Sequence, residues 1–362
     1  MSVFKIFPSK DTTIYSSQST INAGRDEILE ISAINNSDTL RTVEGLEDIR
    51  RTLIQFDNKD LQNITSLTTG SFSASLKMYL AYASALPLSY TINCYPVYQD
   101  WVMGTGKFAD QPNPKNGASW YTWNDIQDWS LAGDQSYLYT TGGGTWNATY
   151  SGSQTFDYIS NKDLNMDVSS IVRAWLTGSI ANHGFLLKHS SSVELDASSS
   201  ISTKFFSMDT HTIYPPCLEI KWDDSTYNTG SVHNSIVTQD DFILISENNI
   251  ENYEEGTKYK MKFKVRDRFP TRTFTTSSDY LTWKFLPSQS YWGIQDYKTK
   301  EMIIDFDDNF TKLSADSNGN YFYLYTNGLQ PERSYKVIIK TVLNNTQEVV
   351  VVDNDIIFKV NR

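Results

Sequence analysis

Several groups of residues in this chain have types and spacings that could do chemistry. Carboxylates cluster at Asp240 and Asp241 and again at Asp305, Asp307 and Asp308. Glycoside hydrolysis needs two carboxyl groups facing one another across a sugar. Neighbouring residues on a strand point to opposite faces, so neither cluster forms that pair by itself, and both read as solvated turn charges. His183 and His189 have no metal-ligand spacing with another His or Cys. The run Asp316-Ser-Asn318-Gly-Asn320 looks like the start of a calcium loop, but its glycine comes early and position twelve is Asn327 where a Glu is needed. A type I′ hairpin turn at Asn318-Gly319 is the better reading. No His-Glu-x-x-His, Walker or Gly-x-Ser-x-Gly pattern occurs. The expectation is a chain with no catalytic residues, no metal site and no cofactor.

Aromatic residues give the sharper functional alternative. Rings exposed on a sandwich face or loop stack on sugar rings, and Trp101, Trp120, Tyr121, Trp123, Trp129 and Trp146 crowd one region between about residues 100 and 160. That region is broken by Gly104, Gly106, Pro112, Pro114, Gly117 and Gly142 to Gly144, so it reads as loop. A loop so long and so rich in Trp is expected to be a folded excursion rather than a tether.

The elements that must position these residues are mostly short strands. Arg51 to Phe56, Ala74 to Tyr82 and Ser89 to Tyr98 are compact apolar or alternating runs, the last with Pro96 marking an edge or end. One helix stands out over Asp167 to Gly178, where Val168, Ile171, Val172, Trp175 and Leu176 share a face, Asp167 caps the start and Gly178 the end. Phe185 to Lys188 follows as a buried strand. A lone helix in this setting must lid a sheet, which predicts a jelly-roll-like β-sandwich.

Composition changes near residue 223. Asp223 to Ser235 has almost no apolar residue and is the best linker. After it come Phe242 to Ile245, Lys258 to Val265, Leu281 to Leu286, Glu301 to Phe306, Tyr321 to Tyr325, Tyr335 to Val342, and Glu348 to Val352 with Ile356 to Val360. Short strands at this density suit an Ig-like or fibronectin-like sandwich. The fold class expected is therefore all-β: a sandwich over 1–223 with one short helix and an insertion at about 100–160, a linker over 224–235, and a second sandwich over 236–362.

A net charge of −11 disfavours nucleic acid and anionic membrane as partners. The opening MSVFKIFPSKD has no long apolar run, and no stretch reaches membrane-spanning length, which predicts synthesis in a cytoplasm without export. Cys94 and Cys217 lie in apolar strand-like contexts and read as small core residues.

Arg51-Thr-Leu-Ile-Gln-Phe-Asp57, the Ala74 to Tyr82 strand, Trp101-Val-Met-Gly104-Thr-Gly106, Thr122-Trp123-Asn124, the Asp167 to Gly178 helix, Asn182-His-Gly-Phe-Leu-Leu-Lys188, Lys204-Phe-Phe-Ser207 and Pro215-Pro-Cys-Leu-Glu-Ile-Lys-Trp222 occur in one order. This succession resembles the DNRLRE, or disaggregatase-related, jelly-roll domain, which is similar to one family of carbohydrate-binding modules. The chain departs from the family in a longer loop between Trp123 and Asn161, and in Ser207-Met-Asp where the family has serine-Arg-Glu. The resemblance implies that Trp101, Trp123 and Trp175 are core residues, which leaves Trp120, Tyr121, Trp129 and Trp146 as the candidate surface or glycan-binding set. The second half, with Tyr259 to Pro270, Tyr321-Phe-Tyr and Ile356 to Val360, is similar to Ig-like domains in structural proteins of tailed bacteriophages. The two resemblances together imply a non-enzymatic virion component, a decoration or adaptor on head, neck or tail made in the host cytoplasm. Its expected partners are other virion proteins in symmetric copies, with attachment to a host-surface glycan as the alternative.

Overall fold

The period-two runs of the sequence become strands. The computed structural model describes residues 2–34, 48–67, 71–130, 142–194, 196, 200–230, 236–237, 241–248, 251–269, 283–343 and 347–362. The chain runs through β1 (Ser2–Ile6), β2 (Pro8–Tyr15), β3 (Ile28–Ile34), β4 (Asp48–Phe56), α1 (Asn58–Leu67), β5 (Phe72–Met78), β6 (Leu80–Ser84), β7 (Ser89–Pro96), β8 (Gly152–Asp157), β9 (Leu164–Asp167), α2 (Ser169–Leu176), β10 (Phe185–His189), α3 (Ser191–Glu194), β11 (Ile201–Phe206) and β12 (Cys217–Trp222). It continues through β13 (Phe242–Ser246), β14 (Asn252–Glu254), β15 (Lys258–Asp267), β16 (Ser290–Asp296), β17 (Met302–Ile304), β18 (Ser314–Asp316), β19 (Gly319–Tyr325), β20 (Arg333–Val342) and β21 (Val349–Asn361). The all-β sandwich expectation holds. Two compact units make up the chain, one of Ile6–Leu67 with Ser73–Glu219, the other of Met1–Lys5, Thr68–Phe72 and Ile220–Arg362.

In the first unit the large sheet runs β6-β11-β3-β4-β10-β7-β8, with β2 also paired to β4. Alternation gives this sheet two apolar faces. On one, Phe185 packs edge-on to Phe56 and against Trp175 of α2, with ring centroids 6.1 and 4.6 Å apart. This is the lid the sequence predicts. Asp167 accepts from the Ser169 amide at 2.9 Å, and Gly178 takes φ +74° just past the helix, where a side chain would be strained. The other face, with Ile49 and Leu53 on β4 and Leu186 on β10, lies under the aromatic excursion. Both cysteines are buried and form no disulfide with each other.

Helix α1 was not foreseen. Asp57 accepts from the Lys59 amide at 2.9 Å to start it, and only Leu61 and Ile64 are buried, so its apolar signal is one short stripe.

The second unit is a sandwich of a β13-β15-β19-β18 sheet and a β14-β21-β20-β16-β17 sheet. Its core holds Met261, Phe263 and Val265 of β15, Phe322 and Leu324 of β19, Trp292 and Ile294 of β16, Tyr335, Val337 and Ile339 of β20, and Val3. Trp292 stacks on Phe322 at 4.3 Å and 6°. Part of the expected linker belongs to this packing: Tyr227 pairs in parallel with Ala315, and its hydroxyl donates to the Leu286 carbonyl at 2.6 Å. The free edge of β18 offers backbone groups that this stretch satisfies; residues 231–235 lie outside the described residues. The hairpin at Asn318 is present, but its loop is Ser317-Asn318 because Asp316 pairs directly with Gly319. Gly319, at φ +145°, takes an extended course of the opposite hand, and a Cβ there would stand 2.5 Å from the Phe263 carbonyl oxygen.

Candidate functional site

The tryptophan excursion begins as the chain leaves β7 and returns before β8. Its loop wraps around a single side chain, Asn22, whose amide donates to the Met103 and Ala118 carbonyls at 2.7 and 3.1 Å while its oxygen accepts from the Gly106 amide at 2.9 Å. Asn113 bonds the Asn22 backbone on both sides, at 2.9 and 2.8 Å. The glycines of this stretch follow from that crowding, since a Cβ on Gly104 or Gly117 would stand 2.3 or 2.5 Å from Asn22 side-chain atoms.

Held in this way, the excursion delivers its rings to the sheet. Trp101, Trp120, Trp129 and Trp146 are buried in one cluster with Ile14, Ile49, Leu53, Val97, Ala118 and Leu186, and Tyr95, Met103 and Trp123 pack against it. The indole N–H of Trp101 donates to the His183 carbonyl at 2.9 Å and that of Trp129 to the Ser119 carbonyl at 3.0 Å. The candidate glycan platform is corrected here. Trp120 is 2% exposed and Trp129 and Trp146 are likewise buried, so none offers a ring face to a sugar. Only Tyr121, 39% exposed, reaches solvent. The physical reason is that Ile49, Leu53 and Leu186 make the outer face of the sheet apolar, and the rings cover it.

Beneath the rings lies an ionic group that the sequence reading did not single out. Arg51 alternates with Ile49 and Leu53 on β4, and Lys188 lies two residues beyond Leu186 on β10, so both cations project from the apolar face. Glu194 of α3 meets both: Arg51 Nη2 at 2.8 Å and Lys188 Nζ at 2.7 Å, all three side chains being buried. The Arg51 guanidinium also donates to the Gly143 carbonyl at 2.7 Å and stands 5.0 and 5.2 Å from the Trp120 and Trp146 ring centroids. Burial opposes the ionised form of Glu194, but the Arg51 and Lys188 charges outweigh it and hold the carboxyl below its ordinary value. The arrangement fixes the return of the excursion, at Gly143, to the sheet, which is a positioning role. The signal in the sequence was an Arg and a Lys on strands otherwise too apolar to face water.

Next to it on β10, His189 is buried with Nε2 3.1 Å from the Ile31 carbonyl. Burial pushes its pKa down to about 4, so the ring is neutral and donates that bond. Asp11 is also buried and accepts from the Met208 amide at 2.7 Å; burial pushes its pKa up to about 7.

At the rim of the excursion an open groove of about 360 Å³ is lined by Asp26, Glu27, Ile28, Glu30, Lys107, Phe108 and Lys204. Glu30 is paired with Arg50 at 2.5 Å and Lys204 at 3.1 Å. Asp26 accepts from the Phe108 amide with both oxygens at 3.2 Å, and burial pushes its pKa up to about 6. Phe108 rests on Tyr15 with centroids 4.8 Å apart. An aromatic ring and Ile28 beside carboxylates and ammoniums can hold a hydroxyl-rich ligand.

The other chemical candidates fall into structural roles. Asp307 accepts from the Asn309 and Phe310 amides at 2.9 and 3.1 Å, Asp308 is 3.7 Å from Lys340, and Asp240 lies outside the described residues. Asp316 accepts from the Asn318 amide at 2.8 Å. Among the described residues no cluster of three or more His, Cys, Asp or Glu could hold a metal ion. No described helix is long and apolar enough to cross a membrane.

No protein family and no curated protein matches the chain. Among solved structures it is similar to a DUF4785 family protein from Legionella pneumophila at 7% identity and a TM-score of 0.20, over 98% of this chain and 65% of that one. A likeness of that size carries no argument about function.

Proposed function

We propose that this chain is a non-enzymatic structural component of a bacteriophage particle, an adaptor or decoration that works through protein–protein contacts in repeated copies. One observation carries the reading: a turn built to hold apolar side chains in water. Tyr158 and Ile159 are 79% and 90% exposed between β8 and β9, and Leu88, 79% exposed, precedes the residue that pairs with Asp157. This turn is tightly made. Asp157 accepts from the Ile159 and Ser160 amides at 3.0 and 2.6 Å, and Lys162 donates to the Asp157 and Ser160 carbonyls, both at 2.6 Å. A fixed apolar tip suits insertion into a neighbouring subunit, and symmetry multiplies such small contacts. The resemblances to a jelly-roll family and to phage Ig-like domains support the virion setting.

The test is to locate the chain in purified particles by cross-linking and imaging, with a Tyr158→Asp/Ile159→Asp variant alongside. Incorporation of the parent chain and its loss in the variant is the expected result. Particles that never contain the chain, or turnover of a polysaccharide by the isolated protein, would overturn the proposal. A second reading, attachment to a surface glycan, is favoured by the Phe108 groove rather than by the buried tryptophans.

A further inference from the structure

Strand β15 sorts its residues by face. Met261, Phe263 and Val265 enter the core, and Lys258, Lys260, Lys262, Lys264 and Arg266 lie on the opposite face. The register sets Lys258, Lys260 and Lys262 against Tyr325, Tyr323 and Tyr321 of β19, and Lys264 against Ile245 of β13. Successive cations along the strand are about 6.7 Å apart, twice the rise per residue, so the row is roughly 27 Å long. It crosses a chain whose net charge is −11.

Three of the ammonium groups are held in place. Lys260 stands 3.6 Å from the Tyr321 ring centroid, Lys258 4.2 Å from that of Tyr323, and Lys264 5.2 Å from that of Trp283. Carboxylates neutralise part of the face: Asp316 on Lys260 at 2.8 Å, Glu247 on Lys264 at 2.6 Å and Asp267 on Lys284 at 2.8 Å. Among the described residues no carboxylate is in ion-pair contact with Lys258, Lys262 or Arg266. Lys258, Lys262 and Arg266 therefore leave positive charge on this face for an anion to meet.

We propose that this face binds a linear acidic polysaccharide, its carboxylates lying along the β15 row. Three features select that occupant. The positive row complements a linear polyanion in charge. The Lys258 ammonium, already fixed over the Tyr323 ring, loses little freedom on binding. Lys260 and Lys258 cover the faces of Tyr321 and Tyr323, which removes the stacking platform a single-stranded nucleic acid needs. The row is formed by residues of the second unit and the docking tip of the proposed structural role by residues of the first, and particle incorporation remains an independent readout.

The test uses the full chain and alginate as probe, with dextran, an oligothymidylate and polyglutamate as comparators, by titration calorimetry at low and at high salt. Alginate is expected to bind, more weakly at high salt. Lys258→Glu/Lys262→Glu is expected to lower the affinity at least about tenfold and Lys258→Arg/Lys262→Arg to keep it. Should the Glu variant fail to fold, Lys258→Gln/Lys262→Gln replaces it with the same expected direction. Absence of alginate binding, binding untouched in a folded charge variant, or equal or tighter binding of dextran, oligothymidylate or polyglutamate would overturn the proposal.

Discussion

Arg51 and Glu194 meet in a two-pronged ion pair, Nε to Oε1 at 3.1 Å and Nη2 to Oε2 at 2.8 Å, with neither side chain in contact with water. The pair joins the middle of β4 to the short helix after β10, and Lys188 makes it a group of two cations and one anion. Its geometry is that of a clamp. The guanidinium spans Glu194 on one side and the Gly143 carbonyl on the other, so the return of the excursion is tied to the strand it covers.

Glu194→Gln removes the only charge that compensates two buried cations within this group. Stranding a buried charge costs about 3–5 kcal/mol, and that loss is expected in the urea unfolding midpoint. The Arg51→Met/Lys188→Met/Glu194→Met variant removes all three charges and is expected to be more stable than Glu194→Gln. A Glu194→Gln protein as stable as the parent would show that the clamp contributes nothing.

Asn22→Ala empties the hub of the excursion. The Met103 and Ala118 carbonyls and the Gly106 amide lose their side-chain partner together, at about 1–3 kcal/mol for each one left buried and unsatisfied. The first unit is expected to lose near-ultraviolet circular dichroism from its tryptophans and to become sensitive to protease between β7 and β8, with its strands intact. Unchanged tryptophan signals would refute this account.

Where the pattern had one period and one partner, the fold was legible in the sequence. The Asp167 to Gly178 helix, the β15 alternation and the Tyr335 to Val342 strand are local statements, and β4 simply extends the predicted Arg51 to Phe56 run. Strand β16 was missed although it carries Trp292, because Gly293 interrupts a short mixed run that has no clear alternation. The tryptophan set was read from composition, which cannot distinguish a ring facing water from a ring facing a second apolar sheet face. That distinction depends on Leu53 and Leu186 lying side by side, a long-range fact of register. The Arg51 and Lys188 clue was local, but the Glu194 that answers them comes from another element.

Stability should depend on pH through two buried groups of opposite sign. The folded pKa of Asp11, about 7, lies above its unfolded value, so its contribution is complete at low pH and is lost as pH rises toward 7. That of His189, about 4, lies below its unfolded value, so its contribution is complete above about 6.5 and is lost as pH falls toward 4. Asp11→Asn keeps an oxygen for the Met208 amide and removes the titration. Relative to the parent it is expected to gain about 3 kcal/mol between about pH 5 and about pH 8, measured by urea unfolding at each pH. A constant difference between the two proteins across that range would contradict the raised value.

Trp120 and Tyr121 are neighbours in sequence and opposites in environment, which makes them a direct test of packing against recognition. Trp120 is inside the cluster with Arg51 5.0 Å from its ring, and a Cβ on Gly142 or Gly143 would run into it. Trp120→Ala therefore opens a cavity and loosens the clamp, at about 3–5 kcal/mol in thermal or urea unfolding. Tyr121→Ala removes a half-exposed ring and is expected to change stability by less than about 0.5 kcal/mol. If the tryptophans served a sugar, Trp120→Ala would fold as well as the parent and lose glycan binding. Packing predicts the reverse order: stability falls first, and any glycan bound through the Phe108 groove is lost in Phe108→Ala while Trp129→Ala affects it only by unfolding the excursion that carries Phe108.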